Sequence, residues 1–314
     1  LKTDLKKVTK ANISIRIHRE FMEAVKNNQM YRLHYTREAT GETIEKEINA
    51  RELFRHIAEV NWDYGEPGAL FWDRVCEWNL LSNTKEFQFA GVNPCAEEPL
   101  PAGGSCLLGS LNLSEFVRDA FKDHASFDFD GLKHAVKVSV RALNEVLEEG
   151  LPMHPLPEQR ESVNDWRQIG LGIMGLADML IKMGITYGES EALELCDQMG
   201  FLMADTFPKY KQENILSTPY FQANTSEGTV ELVKKYGLRN SQLLTIAPTG
   251  TLSTMLGISG GIEPVYANYY ERKTESLHGT DVYYKVYTKI VENYMKDFKI
   301  TDDSNLPEYF VTAM

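Results

Sequence analysis

Apolar and polar positions along the chain repeat with two different periods. Residues 11–17 alternate with a period of two, which predicts a strand, whereas the apolar positions of 18–26 recur at helical spacing. The same criteria predict strands over 69–71, 87–92 and 242–246, a hairpin of 31–36 and 43–49, and helices over 51–62, 130–149, 173–183 and about 189–214. Strands that alternate with helices predict an α/β fold with mostly parallel strands, as a sheet or a barrel.

Three stretches lack a clear period. Residues 93–110 are rich in proline, glycine and small side chains, which predicts a loop. Residues 151–159 contain three prolines, which predicts a connector and the best candidate for a domain joint. We assign the adjacent Tyr283 and Tyr284 to a helical segment shared with Tyr287, in a packing role.

The composition is that of a globular chain. Its 314 residues are 43% apolar and 25% charged, which excludes a disordered tail, a collagen or a coiled coil. Lys and Arg number 33 against 45 Asp and Glu, for a formal charge of −12. We expect no duplex nucleic acid as a partner, because its binding requires clustered basic residues. A small anionic substrate is compatible with this charge, because one pocket can oppose the global field.

The cellular context follows from what the sequence lacks. No apolar run approaches the roughly 20 residues that span a bilayer, so we expect no membrane partner. Four cysteines are too few for a secreted disulfide framework, so we expect a cytoplasmic location. Neither end has the character of a finished terminus, and we expect a fragment of a longer polypeptide.

The segment Asn93-Pro94-Cys95-Ala96-Glu97 is the strongest candidate for chemistry. A loop cysteine beside an amide and a carboxylate can support reactive sulfur chemistry. As a base, Glu97 could take a proton from a substrate hydroxyl. As a neighbouring negative charge, it would raise the pKa of the Cys95 thiol, which suits a neutral thiol or a radical better than a thiolate nucleophile.

Other interpretations of the cysteines remain open at this point. Cys95 and Cys106 could be small buried residues, the usual fate of a free cysteine. A zinc site fits poorly, because Cys-x10-Cys without further paired Cys or His is not metal-ligand spacing, and we predict no metal site. We interpret Cys76 and Cys196 as structural residues.

A second candidate site follows the apolar run 243–246. The chain continues there as Ala247-Pro248-Thr249-Gly250-Thr251-Leu252-Ser253, which predicts a strand end that opens a helix. Backbone N–H groups and hydroxyls at the positive end of a helix bind phosphate. The alternative is an ordinary helix cap with a threonine at the N-cap.

Both segments resemble the ribonucleotide reductase family. The first carries Asn-Pro-Cys-x-Glu followed by Cys-x-Leu-Gly-Ser-x-Asn-Leu, and the second Ala-Pro-Thr-Gly-Thr-x-Ser followed by Ser-Gly-Gly-Ile-Glu-Pro over 259–264. The glycine-spaced run 169–178 and Asn12 fit the same family. The matches occur in the family's order along nearly the whole chain.

The resemblance implies a role for each matching residue. It implies that Cys95 becomes a thiyl radical that takes the 3′ hydrogen of a ribose, that Glu97 takes the 3′ hydroxyl proton, and that Asn93 holds the substrate. By the same match, Cys106 is one of two cysteines that deliver reducing equivalents and end as a disulfide. Substrate phosphates would be bound by the matching loop residues Pro248, Thr249, Gly250, Thr251 and Ser253.

The fold implied by the resemblance is a ten-stranded α/β barrel with a central finger loop. Residues 1–314 would form part of it, with the finger loop at about 93–110 and the phosphate loop at about 247–253. The N-terminal half-barrel, the regulatory region and the first dithiol cysteine would lie before residue 1. A chain lacking them is expected to show no turnover alone.

The resemblance is greatest to the adenosylcobalamin-dependent reductases, on Asn-Pro-Cys, the two later motifs and Tyr270-Glu271-Arg272. It implies adenosylcobalamin as cofactor, a thioredoxin-like external dithiol as reductant and a ribonucleoside di- or triphosphate as substrate, and it is compatible with a homodimer. Two alternatives stay open: a large subunit that receives its radical from a separate di-metal subunit, and a non-catalytic half-barrel that binds nucleotides.

Overall fold

The computed structural model describes residues 11–197, 210–274 and 282–313, and it is mixed α/β. Its strands are β1 (Ser14–Ile17), β2 (Met30–Thr36), β3 (Thr43–Asn49), β4 (Gly68–Phe71), β5 (Phe89–Val92), β6 (Pro99–Pro101), β7 (Leu108–Asn112), β8 (Val117–Arg118), β9 (Ser126–Phe127), β10 (Gly170–Met174), β11 (Tyr269–Thr274) and β12 (Val282–Tyr287). Its helices are α1 (Arg19–Asn27), α2 (Ala50–Tyr64), α3 (Trp72–Glu77), α4 (Phe129–Gly150), α5 (Pro157–Trp166), α6 (Leu176–Met183), α7 (Ser190–Asp197), α8 (Gln212–Leu216), α9 (Pro219–Asn224), α10 (Glu227–Tyr236), α11 (Gly250–Leu256) and α12 (Lys289–Phe298). None of these helices is long and apolar enough to cross a membrane.

The chain forms two compact units, the first made of residues up to 89 together with 213–225. In this unit β1 pairs in parallel with β4, and β2 and β3 form the predicted antiparallel hairpin. Phe21 of α1 packs edge-on against Tyr31, with their ring centroids 5.1 Å apart. The Arg51 guanidinium donates to the carbonyls of Val25 and Lys26 at the end of α1. These contacts hold α1 and α2 against the hairpin.

The second unit contains residues 90–212 and 226–314 and carries both candidate sites. Its β7 and β10 pair in parallel, from Leu108 opposite Gly170 to Asn112 opposite Met174. The segment 242–246 lies on the other side of β10, where Leu171 donates to the Leu243 carbonyl and accepts from the Thr245 N–H. The result is a parallel arrangement of three extended segments, with α4 between the first two in sequence.

Two apolar clusters support these segments in the second unit. The larger one packs α4 and α6 against β7 and β10, and its most buried members include Leu113, Ile169 and Met179. The smaller one joins α6 to α12 and to the end of the chain through Ile181, Val291 and Phe310. Burying aliphatic side chains of this size is worth about 1.5–3 kcal/mol each, so the two clusters fix the loops attached to these elements.

The structure agrees with the expected α/β fold and with the hairpin, α1, α2 and α4. The prediction of a loop over the whole of 93–110 was partly wrong, because β6 and the start of β7 lie within this stretch. The connector at 151–159 was partly wrong, because Pro157 begins α5, where a proline costs no hydrogen bond in the first turn. The stretch 151–157 also lies inside the second unit.

Three further sequence predictions need correction. Tyr283 and Tyr284 lie on β12 rather than on a helix, because this run pairs antiparallel with β11, and both side chains are exposed. Segment 242–246 forms a single parallel bridge rather than a full strand. The helix expected near 189–214 is seen as α7, and residues 198–209 lie outside the described part of the chain.

The described strands form two-stranded sheets rather than a closed barrel. The ten-stranded closure, and a finger loop passing through its centre, therefore stay predictions for this chain.

Candidate functional site

The cysteine loop is a tight turn between β5 and β6. The backbone N–H of Asn93 donates to the Glu98 carbonyl at 3.1 Å, and the N–H of Ala96 donates to the Asn93 carbonyl at 3.0 Å. The side-chain oxygen of the buried Asn93 accepts from the Glu98 N–H at 2.9 Å. Ala96 closes the turn with a φ of 69°, a conformation that small side chains tolerate better than bulky ones. The turn presents Cys95 to solvent.

Side chains from the core of the second unit fix both ends of this turn. The Thr245 hydroxyl donates to the Glu97 carbonyl at 3.3 Å, and Nε2 of Gln168 lies 3.5 Å from the Pro99 carbonyl. Gln168 also donates to Oε1 of Gln242 at 3.0 Å, which ties it to the segment that carries Thr245. The cysteine loop is therefore attached to the parallel segments at several points.

The chain between Glu98 and Cys106 is also held in place. Nε2 of Gln159 on α5 donates to the Ser105 hydroxyl at 2.6 Å. Gly103 has a φ of 72°, and a Cβ there would lie 2.7 Å from the Glu158 carbonyl oxygen. Only glycine fits this close approach to α5. These contacts bring Cys106 back towards the turn.

Cys106 and the two adjacent carboxyls of the turn share one environment. Partial desolvation and the nearby Glu98 carboxylate, with smaller effects from Glu97 and Cys95, raise the pKa of Cys106 to about 12. Burial raises the pKa of Glu98, opposed by its interaction with Cys106 and assisted by the charge of Glu97. The Cys106 thiol is still exposed, so its surroundings remove only part of its water. At neutral pH this sulfur is a thiol.

The second candidate loop begins where segment 242–246 ends. Thr249 has a φ of 49° and does not cap α11 with its side chain; instead, its hydroxyl accepts from the Gly261 N–H at 3.2 Å. The ordinary threonine N-cap is therefore excluded. The N–H groups of Gly250, Thr251 and Leu252 meet no acceptor among the described residues. Such groups at an exposed helix start are suited to an anion.

A buried carboxylate holds the chain that lines this loop. Asp178 on α6 accepts from the Ser259 N–H at 2.7 Å, and the Gly175 N–H donates to the Ser259 carbonyl at 2.9 Å. A Cβ at Gly260 would lie 2.7 Å from the Pro248 carbonyl oxygen and 3.2 Å from the Ser253 hydroxyl. The close packing of 248–253 against 259–261 depends on this glycine.

The structure thus groups the predicted residues around two loops of one unit. Asn93, Cys95, Glu97 and Cys106 form the first group, while Pro248, Gly250 and Thr251 are exposed and Ser253 is buried in the second. Segment 242–246 connects them, since Thr245 contacts the first loop and Ala247 begins the second. No group of three or more His, Cys, Asp or Glu side chains in the described ranges could hold a metal ion.

Sequence reasoning missed three residues of the site: Glu98, Gln168 and Thr245. Glu98 follows Glu97 directly, and two adjacent carboxylates beside a cysteine were a visible signal. Gln168 and Thr245 carried none, because their contacts with the loop span 69 and 148 residues of sequence.

Comparisons with known proteins identify the family of the chain. The family described as "Ribonucleotide reductase, barrel domain" matches residues 2–309. The chain is 36% identical over 262 residues to a vitamin B12-dependent ribonucleoside-diphosphate reductase of Thermoplasma acidophilum, covering 83% of this chain and 32% of that protein. It is 31% identical over 271 residues to the enzyme of the same description in Mycobacterium tuberculosis, covering 86% of this chain and 37% of that protein. The chain thus spans about a third of the length of these relatives.

A solved structure extends the similarity to the fold. The Actinobacillus ureae class Id ribonucleotide reductase alpha subunit superposes with a TM-score of 0.58 at 21% identity, covering 93% of this chain and 48% of that one.

Proposed function

The chain belongs to the ribonucleotide reductase barrel-domain family, and from this premise we propose that it supplies the radical site for the reduction of ribonucleotides to deoxyribonucleotides. The observation that carries the proposal is the turn at 93–98, which presents Cys95 to solvent beside Glu97 and Cys106. Because the chain spans a third of its relatives, it would act with the segments that complete a reductase, in the cytoplasm.

Cys95 would carry the radical and Glu97 the acid–base chemistry. A sulfur radical on Cys95 can take a hydrogen atom from C3′ of the ribose, since S–H and activated C–H bonds are close in strength. The Glu97 carboxylate would accept the 3′ hydroxyl proton. The side-chain oxygen of Asn93 accepts a hydrogen bond from the Glu98 N–H. The Nδ2 group of Asn93 would therefore be available to donate to a substrate hydroxyl.

Cys106 would supply one of the two reducing thiols. Two thiols and the nucleotide's C2′–OH give a disulfide, a C2′–H and water, so two S–H bonds break and one S–S bond forms. The thiols are oxidised by two electrons and the nucleotide is reduced by two. An external dithiol of the thioredoxin type would then reduce the disulfide.

The start of α11 would bind the substrate phosphates. The three N–H groups of Gly250, Thr251 and Leu252 provide donors, and the helix dipole favours negative charge. The Thr249 hydroxyl and the buried Ser253 shape the loop, and Pro248 orders its entry. A diphosphate and a triphosphate are both compatible with this short anion site.

We propose adenosylcobalamin as the radical source, on the names of the T. acidophilum and M. tuberculosis relatives. When bound, this cofactor supplies a carbon-centred radical that can take a hydrogen atom from a thiol. The exposed Cys95 fits this chemistry, because its sulfur can be reached from outside the loop.

The proposal can be tested by exchange with a relative. Residues 2–309 would replace the matching region of the T. acidophilum enzyme, and the chimera would receive ribonucleoside di- or triphosphate and a dithiol, with and without adenosylcobalamin. We expect deoxynucleotide only with the cofactor, and none with Cys95→Ser. Activity only after addition of a di-metal subunit would show that adenosylcobalamin is not the radical source.

The same assay separates the enzyme from a nucleotide-binding module. A folded chimera that binds nucleotide but yields no product with either radical source would contradict reduction at this site. Unfolding curves of the chimera and of Cys95→Ser would establish that both are folded.

A further inference from the structure

Glu98 is a buried carboxyl without a hydrogen-bond or salt-bridge partner among the described residues. Its side chain is 0% exposed, and neither Oε1 nor Oε2 has a partner that meets hydrogen-bond geometry. No described Lys, Arg or His forms a salt bridge with it. Burying a carboxylate without donors is costly, so a fold that keeps one here invites a functional explanation.

The fold prevents Glu98 from turning to solvent. Its N–H and carbonyl are both bonded to Asn93, at 2.9 Å and 3.1 Å. The carbonyls on either side, of Glu97 and Pro99, face Thr245 and Gln168. The backbone is therefore fixed at Glu98 and at both neighbours.

Two other ionisable groups face the Glu98 carboxylate. One is the Cys106 thiol, which interacts with the carboxylate although no hydrogen bond of normal geometry joins them. The other is Glu97, which contributes negative charge and also has one buried oxygen without a partner. Glu98 thus interacts with both the proposed base and the proposed reducing thiol.

We propose that Glu98 is a positioning residue for the Cys106 proton: its carboxylate keeps the sulfur in the thiol form and receives the proton when that sulfur is oxidised. As the S–S bond forms with the second thiol, the S–H bond of Cys106 breaks, its electron goes to the nucleotide and its proton goes to a Glu98 oxygen. The role in turnover rests on the proposed function. The effect of Glu98 on the protonation of Cys106 does not.

The effect of Glu98 on the protonation of Cys106 can be measured without any turnover. In a chain with Cys76→Ala, Cys95→Ala and Cys196→Ala, Cys106 is the single thiol, and its alkylation by iodoacetamide follows the thiolate fraction. We expect Glu98→Gln to speed alkylation at pH 8.5 by about tenfold, the effect of removing one adjacent charge. The pH profile should move to lower pH as a whole.

Three variants separate this role from a structural one. Glu98→Asp keeps the charge and should keep alkylation slow. Glu97→Gln should shift the profile less, because its effect on Cys106 is smaller than that of Glu98. Glu149→Gln changes an exposed glutamate of α4 and should leave the profile unchanged.

Several outcomes would overturn the proposal. A Glu98→Gln profile that superimposes on the parent would do so, as would a larger shift with Glu97→Gln. If Glu98→Gln does not fold, fast alkylation of Cys106 in folded Glu98→Asp would overturn the proposal instead. Failure of the reductase assay would leave these rates unaffected, so the two proposals fail separately.

Discussion

Glu97 and Glu98 are adjacent in sequence and have different environments. Glu97 is partly exposed, whereas Glu98 is fully enclosed, and its pKa is raised by that burial. The difference in exposure does not follow from residue type, because both are glutamates. It follows from the turn, which encloses the whole of the Glu98 side chain and only part of the Glu97 side chain. At the residue scale, the chemistry of this loop is set by burial.

Replacing Glu98 with glutamine should stabilise the chain above neutral pH. The raised pKa means that the folded state holds this proton more tightly than the unfolded one, so the stabilising contribution is full at low pH and is lost as pH rises through the folded pKa. We expect Glu98→Gln to gain about 1–2 kcal/mol relative to the parent at pH 8 and little at pH 4. Urea unfolding at both values measures this, and an equal gain at both would contradict it.

Asn93 should contribute to stability as well as to substrate binding. Its buried side-chain oxygen accepts the Glu98 N–H, so Asn93→Ala leaves a buried donor unpaired. We expect a loss of about 1–2 kcal/mol in the free energy of unfolding. Asn164→Ala, on an exposed position of α5, is the matched control and should change it by less than about 0.5 kcal/mol. Similar losses for both would argue against a structural role of Asn93.

At the scale of elements, the close approach of β10 to segment 242–246 connects the two loops. Gly172 of β10 faces the Thr245 carbonyl so closely that an added Cβ would overlap it. The Thr245 hydroxyl in turn contacts the cysteine loop. Backbone contact at this glycine therefore positions a loop far away in sequence.

Gly172→Ala should force these two segments apart. We expect a loss of about 3 kcal/mol in the free energy of unfolding, since backbone overlap cannot be relieved by a rotamer change. Gly91→Ala on β5 is the control, because nothing lies within 4 Å of its added Cβ. Urea unfolding compares the two, and a tolerated Gly172→Ala would show that the approach is looser than described.

At the scale of the whole molecule, the proposed reaction needs a second reducing thiol besides Cys106. The chain spans about a third of its vitamin B12-dependent relatives. Of its four cysteines, Cys106 shares the loop environment with Cys95, which is assigned to the radical. Cys196 lies on α7, beside an apolar cavity of about 480 Å³. Neither Cys76 nor Cys196 lies in the cysteine loop, so under the proposed function we expect the second reducing thiol to come from outside this chain.

The 314-residue chain by itself should show no turnover. A dithiol-driven reduction requires two thiols that can form a disulfide, and one is expected outside this chain. Incubation with ribonucleotide, dithiol and adenosylcobalamin, followed by chromatography of the products, would test this. Deoxynucleotide above the level of a Cys95→Ser control would contradict it.

Much of the fold could be predicted where local pattern decides it. The β2–β3 hairpin and helices α1, α2 and α4 follow from hydrophobic period and turn residues, which act over a few positions. The predictions for Tyr283 and Tyr284 failed because a tyrosine-rich run has no strong period of its own. Pairing with β11, a tertiary contact, made that run a strand.

By itself the sequence determined the family and predicted the chemistry of the two loops, since Asn93, Cys95 and Glu97 lie within five residues and Pro248, Thr249 and Gly250 are contiguous. Only the tertiary structure decided that Glu98 is enclosed beside Cys106, and that Thr245 anchors a loop 148 residues earlier. The physical reason is that residue type is carried along the chain, whereas burial and charge proximity arise only when distant segments pack together.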